Sequence, residues 1–137
     1  MQILAYHEHT APTQGDTSVL TLANDVDAHQ VNLHGVQRID LHFPNFTDGR
    51  AFSQAYLLRR RRGFAGDIRA TGDVLIDQLV QMQRTGFSSA VLREGVDAAD
   101  AQRQFDRFSG FYQADAVHWQ PHFANKADSD DSTRGTA

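Results

Sequence analysis

Three times in this chain a glycine and an apolar residue stand just ahead of a strand-like run. Gly35-Val36 precedes Arg38–Phe43, Gly63-Phe64 precedes Asp67–Thr71, and Gly86-Phe87 precedes Ala90–Arg93. The last two pairs are 23 residues apart, and each follows a helical pattern. The recurring unit is therefore helix, Gly-apolar turn, strand, polar turn. Repeated βα units of this length imply parallel strands joined by right-handed crossovers. The fold class expected is α/β, a small and mainly parallel sheet with flanking helices. The alternative architecture is a partial βα barrel that closes on oligomerisation.

The individual elements follow from local pattern. Arg38-Ile-Asp-Leu-His-Phe43 alternates polar and apolar as a strand does, and Pro44-Asn45 stops it. Asp48 is the expected N-cap of a helix over 51–62, which Gly63 closes. After the strand Asp67–Thr71, Gly72 and Asp73 form turn and cap for a helix over 74–84. Its Leu75, Leu79 and Met82 share one face. Glu94–Asp97 leads into a last helix from Ala98 to about Phe108, with Ala101, Phe105 and Phe108 facing inward. Upstream, Val19–Leu22 reads as a short strand and 24–33 as a weak helix or irregular link. Residues 1–16 form an arm or an edge strand, 17–123 a single domain, and 124–137, without core-forming side chains, a disordered tail.

A chain of 137 residues suits one domain with a respectable core. Its net charge of −4 supplies no general pull towards nucleic acid. With no cysteine, this chain alone offers no disulfide, no thiolate catalyst and no thiolate ligand for iron–sulfur or zinc. The two histidine pairs, His7/His9 and His118/His122, lack a third ligand at a recognisable spacing, so no metal is expected. No apolar run is long enough to cross a bilayer, and Met1–Glu8 lacks the regions of an export signal. The expectation is a cytoplasmic protein.

Charge is uneven along the chain. Between Arg50 and Arg69 there are six arginines against one aspartate. Arg59–Arg62 lies in the last turn of a helix, where cations favour the macrodipole, and is expected to be a solvated helix end with a docking use for an acidic partner. At the two strand-to-helix turns, Asp48-Gly49-Arg50 and Gly72-Asp73 place glycine and aspartate at helix starts. In parallel sheets such turns share the carboxyl edge, where ligands bind. Arg50, Arg69 and Arg93 with Asp48, Gly49 and Gly72 then form a candidate oxyanion site for sulfite, sulfate or phosphate. Arg69, in a strand expected to be covered on both faces, needs a carboxylate, and Asp48, Asp73 and Asp77 are the expected partners. No phosphate-loop or dinucleotide fingerprint is present. Asp73 is the candidate general acid/base, with Asp48 as the other choice. Trp119 and Phe123 are expected to pack back on the domain.

The runs Leu41–Ser53, Gly66–Leu79, Arg84–Arg93 and Phe105–Gln113 together resemble a bacterial family, domain of unknown function 934, over residues 36–114. The DGR block at Asp48–Arg50 and the GD block at Gly72-Asp73 carry most of the likeness. Members of that family are encoded beside sulfite reductase and other sulfate-assimilation genes and are often labelled oxidoreductases of sulfite reduction. The resemblance implies an accessory role in sulfite reduction and cysteine biosynthesis, with sulfite reductase or its electron donor as partner. Where many such relatives have Arg-Cys-Gly-Phe, this chain has Arg84-Thr-Gly-Phe87, which removes a thiol-based role. No resident cofactor is expected, and a homo-oligomer is an option. The alternative function is a small-molecule oxidoreductase with a non-covalent flavin or nicotinamide.

Overall fold

A computed structural model describes residues 1–13 and 15–115, with side chains described as far as Ser109. The expected tail and the candidates His118, Trp119, His122 and Phe123 lie outside the described residues. Five strands form one parallel sheet: β1 (Gln2–Leu4), β2 (Val19–Leu22), β3 (Arg38–Phe43), β4 (Asp67–Gly72) and β5 (Ser89–Val91), in the order β1-β5-β4-β3-β2. The helices are α1 (Arg50–Arg60), α2 (Leu79–Thr85) and α3 (Ala98–Asp115). The chain is an α/β protein, and its first residues are an edge strand, with β1 paired to β5.

Strands β2 to β5 lie side by side in chain order, so each right-handed crossover falls on the same face. There, alternate residues of each strand point into one core: Leu22 from β2, Ile39, Leu41 and Phe43 from β3, Ile68 and Ala70 from β4, Ala90 from β5. Ala51, Ala55 and Leu58 of α1, Leu79 and Met82 of α2, and Ala101 and Phe105 of α3 close over them. Each fully buried Leu, Ile or Phe here stabilises the fold by about 1.5–3 kcal/mol. Phe43, Phe52 and Phe87 make an aromatic cluster, with ring centroids 5.1 Å apart for Phe43–Phe52 and 5.8 Å for Phe43–Phe87. That cluster fixes the start of α1 against the end of β3.

Among the described residues the other face carries no α-helix, which corrects the expectation that this sheet is covered on both sides. The segment joining β1 to β2 crosses it, because those strands lie at opposite edges. In-register pairing lays one polar row across all five strands: Gln2, Ser89, Arg69, Asp40 and Thr21. The alternation in β3 is the reason: Ile39, Leu41 and Phe43 face the helices, while Arg38, Asp40 and His42 face away.

Three local expectations need correction. Asp73 caps no helix; its carboxylate is used elsewhere, and β-branched Val74 and Ile76 disfavour a helical start. Leu75 is extended, a single 3₁₀ turn spans Ile76–Gln78, and α2 begins only at Leu79. The N-cap of α1 is Gly49, while Asp48 closes a turn onto the Arg50 N–H at 3.0 Å. The arginine run is not a uniformly solvated end. Arg59 donates to the carbonyls of Gly86 (2.8 Å), Phe64 (2.8 Å) and Gly66 (2.6 Å). Arg62 donates to those of Ala28, His29 and Val31. Arg60 lies over the Tyr56 ring, and only Arg60 and Arg61 face outward.

Candidate functional site

The carboxyl edge of the sheet gathers the exits of β3, β4 and β5. Leaving β3, the chain makes a tight turn in which the Asp48 N–H donates to the Asn45 carbonyl at 2.9 Å. Leaving β4, Gly72 adopts φ +92°, and a Cβ there would stand 2.3 Å from the Phe43 carbonyl oxygen. Only glycine lets the two exits approach so closely. The Asp73 N–H then donates to that same carbonyl at 2.8 Å.

Two arginine–aspartate pairs hold this rim. Asp73 accepts the Phe46 N–H on Oδ2 at 2.9 Å and Arg93 Nη1 on Oδ1 at 3.1 Å. Gln78 Nε2 donates to the Phe46 carbonyl at 2.8 Å, so the Phe46 peptide is held on both sides. Asp48 accepts the Arg50 N–H and, at 3.3 Å, Arg50 Nε, and its second oxygen accepts from Asn24. The Arg50 backbone N–H, more than its guanidinium or Asn24, holds the Asp48 carboxyl below the usual carboxylate range. The turn over 45–48 thus carries one pair and is anchored by the carboxylate of the other.

Neither rim guanidinium is used up. The Arg50 side chain is 66% exposed and that of Arg93 52%, each meeting a single carboxylate. Gly49 carries no side-chain cap, and open space surrounds the position of its missing Cβ. The rim therefore offers guanidinium N–H donors beside the first turn of an 11-residue helix, which suits an oxyanion. Exposed Phe46 adds an apolar surface next to them.

Arg69 is elsewhere. It stands in the middle polar row of the helix-free face, its side chain only 12% exposed. Its partner is Asp67, not Asp48, Asp73 or Asp77: Nη2 donates to Asp67 Oδ2 at 3.2 Å. Nε donates to Ser89 Oγ at 3.0 Å, and Nη1 lies 3.1 Å from His9 Nδ1. All three guanidinium nitrogens are engaged. Arg50 with Asp48 and Gly49, and Arg93 with Asp73 and Gly72, stand at the strand exits and are linked through the bond from the Phe46 N–H to Asp73; Arg69 stands on the other face of the sheet.

Sequence reasoning missed two groups. Arg38 binds the 2%-exposed Asp40 through both oxygens, at 2.9 and 3.1 Å, and Arg38 Nη2 reaches the Thr10 carbonyl. The polar half of the β3 alternation was the signal available for this pair. A cavity of about 550 Å³ also opens between the 3₁₀ turn Tyr6–Glu8 and the β5–α3 loop. It is lined by Glu8, Glu94 and Asp97, an acidic wall unsuited to an anion. Glu8 is tied to the Ala5 N–H and Asp97 to that of Ala99.

Among the described residues, no group of three or more His, Asp or Glu side chains is placed to hold a metal ion, and no helix is long and apolar enough to cross a membrane. No curated protein and no solved structure matches the chain. Residues 19–123 match the family described as bacterial protein of unknown function, DUF934, which is the family to which this chain belongs.

Proposed function

We propose that the chain is an accessory protein of assimilatory sulfite reduction, binding an oxyanion at the rim and docking on sulfite reductase or its electron donor. The single observation that carries the anion reading is two half-exposed guanidiniums at the strand exits, Arg93 after β5 and Arg50 in the first turn of α1, whose N-cap Gly49 makes no side-chain cap bond. Each keeps N–H donors turned to solvent after meeting its aspartate, and an arriving oxyanion can accept them. The sulfur pathway comes from the gene neighbourhood that the family resemblance implies. Sulfite, sulfate and phosphate share the tetrahedral or pyramidal oxygen geometry that such donors fit.

The competing reading is a small-molecule enzyme with Asp73 as acid/base. Both Asp73 oxygens already accept N–H bonds, which favours an anchor over a proton carrier. Two measurements separate the readings. Calorimetry with sulfite, sulfate and phosphate should give binding that Arg50→Ala and Arg93→Ala each weaken about tenfold, the loss of one charge-assisted contact. Reductase turnover with and without the protein should differ, and the two should co-elute. Absence of anion binding together with unchanged turnover and no co-elution eliminates the proposal, and a bound flavin chromophore favours its competitor.

A further inference from the structure

Among the described residues, the segment after β1 meets the helix-free face at two guanidiniums. Arg38 Nη2 donates to the Thr10 carbonyl at 3.1 Å, and Arg69 Nη1 lies 3.1 Å from His9 Nδ1. A guanidinium only donates, so Nδ1 must be the acceptor and the His9 proton sits on Nε2. A protonated imidazole has no acceptor left. Protonating His9 therefore does two things at once: it breaks the bond to Arg69 and sets a cation against two others.

We propose that the segment around His9 and Thr10 is a pH-released strap over the polar row of the sheet, held while His9 is neutral and freed when His9 takes a proton. The groups around it decide the sign. From β3, Arg38 and Asp40 act on His9; from β4, Arg69 does, its guanidinium paired to Asp67; β5 and β2 place the uncharged Ser89 and Thr21 in the same row. On its own segment Glu8 is tied to the Ala5 N–H, and Asp16 to Ser18. Asp40 favours the charged ring, but its two oxygens are already claimed by Arg38. Desolvation, then Arg69 and Arg38, oppose the charge and hold the ring below the usual imidazole range. Release uncovers Arg69 Nη1 and the Arg38–Asp40 pair, giving the sheet a second polar surface distinct from the rim.

The test follows the ring and the strap together in the full-length protein. NMR of the His9 ring gives its titration, and nuclear Overhauser contacts from residues 9 and 10 to the Arg38 and Arg69 side chains give strap opening between pH 8 and 4.5. Those contacts should weaken at least tenfold with the His9 midpoint. His9→Gln keeps an acceptor for Arg69 but cannot titrate, and its residue 9 and 10 contacts should persist throughout. His9→Lys should lack them already at pH 8. Contacts that stay unchanged while the wild-type His9 ring titrates overturn the proposal, whatever the variants do. So does an equal loss in a folded His9→Gln protein.

Discussion

Four consecutive arginines run through and past the end of α1, and the structure assigns them opposite duties, so substituting them one at a time tests the packing argument directly. Arg59 threads between α1, β4 and α2 and satisfies three backbone carbonyls, those of Phe64, Gly66 and Gly86. Burial draws its guanidinium below the ordinary arginine range, with Asp67 pulling the other way. It remains charged at any working pH. Gly86 makes room for it: a Cβ there would come within 2.6 Å of Arg59 Cγ. Arg59→Met keeps the apolar stem and deletes all three donors. A hydrogen bond from a charged donor contributes about 1.5–3 kcal/mol, and water entering this half-buried site recovers part of it. A net loss of about 3 kcal/mol is the expectation. At roughly 3 °C per kcal/mol for a domain of this size, Tm should fall by about 9 °C. Arg61→Ala, at an exposed position, should change stability by less than about 0.5 kcal/mol. Urea unfolding followed by circular dichroism reads both. Equal losses for Arg59→Met and Arg61→Ala would refute the assignment of these carbonyls to one buried guanidinium.

The remaining predictions concern the sheet and its rim. Gly72→Ala should destabilise by about 2–3 kcal/mol in thermal unfolding, because a Cβ meets the Phe43 carbonyl and the residue sits at φ +92°. Asp40→Ala should cost about 3 kcal/mol, since it strands the mostly buried Arg38 guanidinium; a loss below 1 kcal/mol would mean that water serves Arg38 instead. Arg50→Ala and Arg93→Ala, both exposed, should leave stability within about 1 kcal/mol of wild type while weakening oxyanion binding. His9 has a folded pKa below its unfolded 6.5, so the unfolded chain binds the extra proton. Its contribution should therefore be constant above pH 7 and decline as pH falls below 6.5, a decline that His9→Gln removes.

Much of the fold was legible because two periodicities reinforce each other. Ile39, Leu41 and Phe43 alternate as a strand must, and the Gly-apolar pairs at 63–64 and 86–87 mark where helices return to the sheet. Parallel direction follows from that repeat. The helix starts were less legible, because an aspartate after a glycine reads as a cap whether or not its carboxylate is spent elsewhere. Asp73 is spent on Phe46 and Arg93, contacts 27 and 20 residues away in sequence that no local window contains. The fate of Arg59–Arg62 was hidden for the same reason: helical phase turns Arg59 and Arg62 inward and Arg60 and Arg61 outward, and only the neighbouring loops reveal which carbonyls await them. At the rim, the glycines and aspartates placed the turns correctly in sequence, whereas Arg69 belongs to a strand whose partner row is set by register.

That register explains why one sheet carries two separate charged surfaces. Crossovers that all advance in one direction stack every helix on one face, and the first connection must then span the other face to reach the far edge. A short irregular segment cannot bury five strands of apolar side chains, so outward positions such as Asp40, Arg69 and Ser89 are polar and pair among themselves. Charges neutralised there in pairs hold the strap without attracting ligand. The rim differs in one respect: Arg50 and Arg93 meet one carboxylate each and stay half in water. An anion should therefore choose the rim over the inner face at neutral pH. Chemical-shift mapping with phosphate tests this, expecting changes at Phe46, Arg50 and Arg93 and none at Arg69 or Ser89. The reverse pattern would transfer the binding role from the strand exits to the polar row.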